Sequence, residues 1–248
     1  MKRVVSALLV FTSCAFGQSF EVASIRLHKD RVQAVGTSVS GQRVNAEAMS
    51  LDNLIAYAYD LKSYQVFGVP GWSDSKNLDC DRYDLTAKAE GDGPLTQRQA
   101  KAMLQALLAE RFHLRFHREM REMPVYALVV AKGGPKLKEA APDAQSMLRM
   151  SGSSKGAEME VTGGSMAQLV NQFSNNNGVD RPVLDKTGLT GKYDFKLTWA
   201  AGLNTPRDDS EAPSAYTALQ DQLGLRLEPQ RAPIEVLIVD DAEKPSEN

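Results

Sequence analysis

The stretches SLDNLI (residues 50–55) and SMAQLV (residues 165–170) each place a serine directly before an apolar helical pattern. Three further landmarks follow each serine in the same order: a Tyr-Asp strand, a helix that leads into a short strand, and a proline before an apolar run. They lie at 83–85, 114–116 and 124–130 in the first copy and at 193–195, 225–227 and 233–239 in the second. Corresponding landmarks are 109 to 115 residues apart. This steady spacing predicts that a supersecondary unit is duplicated.

Each predicted copy reads strand, helix, short strand, strand, helix, strand, strand. Helices alternate with hairpins in this order, which predicts an α+β fold with mostly antiparallel sheets. The chain is therefore divided into consecutive parts: a signal peptide (1–17), a first repeat (18–135), a polar linker (136–157), a second repeat (158–242) and a tail (243–248).

Local patterns support the individual elements. Residues 83–89 alternate between apolar and polar, as in a half-buried strand. Thr96 and Gln99 form a capping box before a helix whose buried stripe runs from Met103 to Leu108, and Ser165 with Gln168 repeats the box. Residues 113–119 and 123–130 are predicted to form two separate strands, and so are residues 225–227 and 234–239.

The N-terminus has the pattern of a secretory signal peptide. Lys2 and Arg3 give it a positive charge, residues 4–11 are apolar, and small residues at Ala15 and Gly17 fit a cleavage site before Gln18. We therefore expect export to the periplasm or beyond. The alternative is a lipoprotein anchored at Cys14, although Phe11 fits the first position of that cleavage motif poorly.

After cleavage, Cys80 would be the only cysteine, so no internal disulfide is expected and a hydrophobic core must hold the fold. An unpaired cysteine in an exported protein is buried, bridged to another chain or reactive. Burial is the simplest of these three interpretations.

Composition limits the function classes. The chain has 248 residues, of which 42% are hydrophobic and 24% charged, as in a globular protein. Its net charge of −2 gives no basic footprint for nucleic acid. Outside the leader, no apolar stretch is long enough to span a membrane.

A basic face is the candidate binding surface. His113, Arg115 and His117 share one side of the predicted strand, and Arg111 lies just before it. The two histidines are about 13 Å apart along a strand, too far to share one metal ion. The face could instead attract an anionic partner. Trp72, on a Gly/Pro-rich loop, is a candidate for ligand stacking, although such a residue more often closes a core.

No nucleophile elbow, metal-ligand series or phosphate loop is found, so the sequence predicts no catalytic residue, cofactor or metal site. His28 is interpreted as a surface residue. The alternative is a hydrolase whose site forms only in the fold, from His113, His117, Asp84 and Asp194.

Several motifs together resemble a known family. They are FEVASI (20–25), GVPGW (68–72), LLAERF (107–112), EMPVY (122–126) and GGPKL (133–137), and the longest is VLDKTGLTGKYDF (183–195). The chain resembles the soil-associated family of exported bacterial proteins of unknown function, over residues 20–241. In element order, each half is also weakly similar to the short N-terminal domains of secretins and TonB-dependent receptors.

The resemblance implies a secreted protein without established catalytic residues. It also implies, as a partner, a membrane sensor peptidase, because members of that family are sometimes fused to such enzymes. We therefore expect a non-catalytic module that binds a protein or a small ligand, with a sensory role as one form of it and the hydrolase as the alternative.

Overall fold

The computed structural model describes residues 19–153, 156–174, 179, 181–200 and 212–246. The predicted signal peptide, with Cys14, lies outside these residues. The chain folds into two compact units. Of the described residues, those up to His117 and those from Leu237 onwards form unit 1, and those between Arg118 and Val236 form unit 2.

Unit 1 is built around an antiparallel sheet. Its elements are β1 (Phe20–Leu27), β2 (Gly36–Ser40), β3 (Arg43–Met49), α1 (Leu51–Ala58), β4 (Val66–Phe67), β5 (Tyr83–Ala89) and α2 (Gln97–Arg111). The strand order is β1-β5-β3-β2, so β1 and β2 are the edges.

The core of unit 1 follows the predicted periodicity. Tyr83, Leu85, Ala87 and Ala89 on β5 are buried, and so are Met103, Leu104, Leu107 and Leu108 on α2. The side chain of Thr96 accepts a hydrogen bond from the backbone N–H of Gln99, which completes the capping box. The structure thus confirms these predicted elements. They could be predicted because each depends on contacts within a few residues.

Unit 2 has a second antiparallel sheet. Its elements are β7 (Lys138–Glu139), β8 (Met147–Ser153), β9 (Gly156–Gly164), α3 (Met166–Ser174), β10 (Val183–Asp185), β11 (Tyr193–Trp199) and α4 (Ala215–Leu223). The strand order is β7-β11-β9-β8. The helix α4 ends at Gly224, whose φ of 65° is left-handed, and a Cβ there would lie 2.1 Å from the carbonyl oxygen of Gly134.

Two long strands, β6 (Arg115–Val130) and β12 (Leu225–Asp241), are each divided between the units. In unit 2, β10 pairs in parallel with β6. In unit 1, β4 pairs in parallel with β12, with Leu237 opposite Val66. The closing strand of the first predicted repeat thus belongs to unit 2, and the end of the second belongs to unit 1.

The structure differs from the sequence-based expectation in two further respects. Residues 113–119 and 123–130 do not form two strands, because β6 runs through Pro124, and β12 runs through Pro233 in the same way. A strand tolerates proline where that position donates no ladder hydrogen bond.

The segment 136–157, interpreted as a linker, contains β7 and β8, which pair with β11 and β9. Residues Met147–Gly152 are all exposed. They therefore lack the buried alternation by which a strand is recognised in a sequence.

The two sheets have the same strand order relative to the chain, and in each unit a hairpin is followed by a helix, a short strand, a strand and a helix. The α+β class is thereby confirmed. Duplication of an ancestral unit is consistent with this correspondence and stays a prediction.

Candidate functional site

The predicted basic face is a row of ion pairs in unit 1. Nδ1 of His113 lies 3.3 Å from Oε2 of Glu243, and Arg115 donates to Asp241 over 2.8 Å. Nδ1 of His117 lies 2.7 Å from Oδ1 of Asp240. Each of these three side chains therefore has a carboxylate beside it. Exposed pairs of this kind contribute about 0–1 kcal/mol each.

His113 lies outside the strand that the sequence pattern predicted for it. Its φ of 48° is left-handed, and β6 begins two residues later. The strand alternation therefore starts at Arg115. A binding role for His113, Arg115 and His117 stays a prediction, on a surface where each of these side chains already contacts a carboxylate.

Arg111, in the last turn of α2, lines a cavity of about 330 Å³ with residues of β1 and α2. The lining mixes apolar side chains, including Phe20 and Leu107, with the carboxylates of Glu21 and Glu110. Nη2 of Arg111 is buried and has no hydrogen-bond partner among the described residues. Because this atom is shielded from solvent, a ligand would reach it only after the side chain moved.

Trp72 is partly buried and packs against the core of unit 1. Its ring meets Tyr83 edge-on at a centroid distance of 6.4 Å. Nζ of Lys244 lies 5.6 Å from the ring centroid and 2.7 Å from Oδ2 of Asp81. This arrangement agrees with the core-closing alternative.

A buried polar network at the start of α1 was missed from the sequence. Asp52 is buried and accepts hydrogen bonds from the hydroxyl of Ser50 (2.5 Å), from the backbone N–H of Ser75 (3.2 Å) and from the Ser75 hydroxyl. The buried Ser73 hydroxyl accepts from the N–H of Leu51 (2.9 Å) and donates to the carbonyl of Asp81 (2.7 Å). These hydrogen bonds link the loop after β4 to the N-terminus of α1.

The sequence does contain a sign of this network. Asp52 lies three and four residues before Ile55 and Ala56, so it shares a helix face with side chains that are buried. A carboxylate on a buried face needs hydrogen-bond donors. Ser50 is a neighbour in the sequence, but Ser75 comes from a loop further along the chain, which periodicity cannot identify.

The Tyr-Asp motifs have a structural role. Oδ1 of Asp84 accepts the backbone N–H of Ala48 over 2.9 Å, and Oδ1 of Asp194 accepts that of Gly163 over 2.9 Å. Both donors have left-handed backbones, with φ of 50° and 59°. Each carboxylate therefore stabilises an irregular residue shortly before a helix.

His28 is not the surface residue that the sequence suggested. Its side chain is 9% exposed, and Nδ1 lies 2.9 Å from Oδ2 of Asp84. Its Nε2 is buried without a hydrogen-bond partner in the part of the chain that the structure describes. The four residues of the hydrolase alternative therefore contact other groups rather than one another. Asp84 contacts His28 and Ala48, Asp194 contacts Gly163, and His113 and His117 contact Glu243 and Asp240.

Three exposed apolar side chains lie on β8, an edge strand of the unit 2 sheet. Met147, Leu148 and Met150 are 54%, 40% and 45% exposed. Leu148 and Met150 lie opposite Val161 and Met159 of β9, which are buried. The core of unit 2 therefore continues to a sheet edge that the described strands leave open.

The corresponding edge of unit 1 is different. On β2, Thr37 and Val39 lie opposite Ala46 and Val44 of β3. These side chains are smaller and half-buried. A contrast between two otherwise similar sheets marks β8 as the surface to examine for binding.

Cys80 is buried, and this burial raises the pKa of its thiol, while the Arg82 guanidinium opposes the shift.

We expect the Cys80 thiol to react with iodoacetamide at neutral pH at least about tenfold more slowly than an exposed thiol, since little thiolate forms. Mass spectrometry of the Cys80 peptide would measure the rate. An exposed control is Leu78→Cys on the same loop, and equal rates at both positions would contradict the prediction.

Among the residues described, no group of three or more His, Cys, Asp or Glu side chains is placed to hold a metal ion. No helix in the described part of the chain is long and apolar enough to cross a membrane.

These features define an α+β protein of two compact units, in which the sheet of unit 2 has an edge strand with exposed apolar side chains. The chain belongs to a family described as a protein of unknown function (DUF3738), whose model matches residues 52–242. No curated protein and no solved structure matches the chain at a significant level. Membership of an uncharacterised family is thereby confirmed, whereas soil association and likeness to secretin or TonB-receptor domains stay predictions.

Proposed function

We propose that the chain is an exported, non-catalytic protein-interaction module that binds an extended segment of a partner along β8. The observation behind this proposal is the exposed edge strand with three large apolar side chains. An edge strand offers backbone N–H and C=O groups to an added strand, and exposed apolar side chains beside it favour such addition.

The composition of β8 supports the same function. Edge strands that avoid pairing are short or carry charges and prolines. β8 has seven residues, MLRMSGS, of which Arg149 alone is charged and none is proline. This edge therefore has few of the features by which proteins prevent strand addition.

Export is part of the proposal and is supported by the leader pattern of residues 1–17, with a lipid anchor at Cys14 as the alternative form. A sensory role, with a membrane peptidase as partner, would be one use of such a module.

The hydrolase remains the competing function. A histidine oriented by a carboxylate, as His28 is by Asp84, is half of a base-and-orienter arrangement. Because Nε2 of His28 is buried, it cannot meet a substrate without a rearrangement. Turnover of ester, peptide or glycoside substrates that disappears in His28→Ala would contradict the non-catalytic part of the proposal.

Random peptides displayed on phage would test the binding function on the purified chain. We expect enriched peptides that bind the wild-type chain and lose at least about tenfold in affinity for the double variant Leu148→Lys/Met150→Lys, since two charges block the apolar edge. The matched control, Thr37→Lys/Val39→Lys, alters β2 at the corresponding positions. Failure to enrich any peptide, or equal loss in both variants, would overturn the proposal.

A further inference from the structure

We infer that the segment bound at β8 is an antiparallel strand with apolar side chains at two alternate positions and an acidic side chain between them. This inference rests on the proposed function and specifies the chemistry of the partner. It follows from the three rows of side chains that cross the unit 2 sheet and end at β8.

Two of these rows are apolar and lie on the buried face. Phe195, Val161 and Leu148 are aligned on β11, β9 and β8. Leu197, Met159 and Met150 form the next row on the same face. The first two members of each row are buried, whereas Leu148 and Met150 are only partly covered. An added strand would complete both rows if it placed apolar side chains at these two positions.

The row between them is charged and lies on the opposite face. It consists of Lys196 on β11, Glu160 on β9 and Arg149 on β8, in strand register. Lys196 also pairs with Glu158 over 3.0 Å. The charge changes sign from each strand to the next, and opposite charges across neighbouring strands are favourable while like charges are not. An acidic side chain on the added strand, opposite Arg149, would therefore be favourable.

The strand β9 already meets all three requirements on the inner side of β8. It places Val161, Glu160 and Met159 opposite Leu148, Arg149 and Met150, in antiparallel register. Side chains of a strand stand above and below the sheet and are shared by the neighbours on both sides. A strand with the β9 pattern is therefore complementary to the outer side of β8 as well.

A second copy of the chain fits this edge less well. In an antiparallel pair of two β8 strands centred on Arg149, the two guanidinium groups would face each other, which is unfavourable. No acidic residue lies within β8 to occupy the position opposite Arg149 in any register. The charge pattern thus favours an acidic partner segment over self-pairing.

The probe for this inference is a fluorescein-labelled peptide with the β9 sequence GAEMEVTGG, titrated with the full chain and followed by fluorescence anisotropy. The control peptide GAKMKVTGG carries lysine in place of both glutamates. We expect the acidic peptide to bind the wild-type chain at least about fivefold more tightly than the lysine peptide. In Arg149→Glu the preference should reverse, and Leu148→Lys/Met150→Lys should bind neither peptide.

Comparing two peptides on the same wild-type chain keeps the test valid if Arg149→Glu is poorly folded. Equal affinity for both peptides, or a preference for the lysine peptide, would overturn the inference. So would a concentration-dependent dimer, seen by sedimentation, that Leu148→Lys/Met150→Lys abolishes. If phage display still yields β8-dependent peptides, the binding function stands and only the requirement for an acidic side chain is wrong. If it yields none, the proposed function itself is wrong.

Discussion

Leu237→Ala is expected to lower the free energy of unfolding of unit 1 by about 2–5 kcal/mol, as large-to-small changes in a packed core do. Leu237 is fully buried, pairs with Val66 of β4 and belongs to the same hydrophobic cluster as α1 and α2. The sequence pattern placed this residue in the second repeat. A large effect on unit 1 would therefore show that the end of β12 completes a core built from the other end of the chain.

The chain has two tryptophans, Trp72 in unit 1 and Trp199 in unit 2, so each unit has its own fluorescent reporter. In a Trp199→Phe background, urea unfolding followed through Trp72 would measure the stability of unit 1. The matched control is Leu78→Ala at a side chain that is 96% exposed, where we expect a change within about 0.5 kcal/mol. Similar losses in Leu237→Ala and Leu78→Ala would refute the assignment of Leu237 to this core.

Asp52→Ala is expected to destabilise unit 1 by about 2–4 kcal/mol, because buried donors would lose a charged acceptor. The hydroxyls of Ser50 and Ser75 and the backbone N–H of Ser75 all donate to the Asp52 carboxylate. Without it, the loop after β4 would lose an attachment to the N-terminus of α1. This effect should exceed that of any single ion pair on the exposed His113/Arg115/His117 row.

The same Trp72 unfolding assay would measure this effect. Asp52→Asn should lose less than Asp52→Ala, because one carbonyl oxygen remains to accept from Ser75 and Ser50. Asp30→Ala, at an exposed aspartate, is the control for loss of charge. A loss in Asp52→Ala no larger than that in Asp30→Ala would mean that the network contributes nothing to stability.

Local patterns predicted much of the secondary structure. The alternation of β5, the capping boxes at Thr96 and Ser165 and the helix end at Gly224 agree with the structure. Each depends on residues within about one helical turn or along one strand. The α+β class follows from the order of these elements and was predicted for the same reason.

The candidate site could not be predicted in the same way. The sequence singled out Trp72, Arg111, His113, Arg115 and His117. For all of these except Arg111, a charged side chain that contacts the residue lies far along the chain, at Lys244, Glu243, Asp241 and Asp240 respectively. β8 was interpreted as part of a linker because even its side chains on the core face are largely exposed, and its sequence lacks the alternation of a half-buried strand. The exposure that made this strand hard to recognise in the sequence is also the observation on which the proposed binding surface rests.

The sequence by itself determined the helices and the strands that have a buried face, and which of their faces are apolar, since these depend on short-range periodicity and capping. Only the tertiary structure decided which strands become neighbours. It assigned the end of β12 to unit 1 and left β8 as an open edge of unit 2. The physical reason is that an alternating pattern specifies the buried face of a strand, whereas its backbone hydrogen bonds can be made to any strand that the rest of the fold brings alongside.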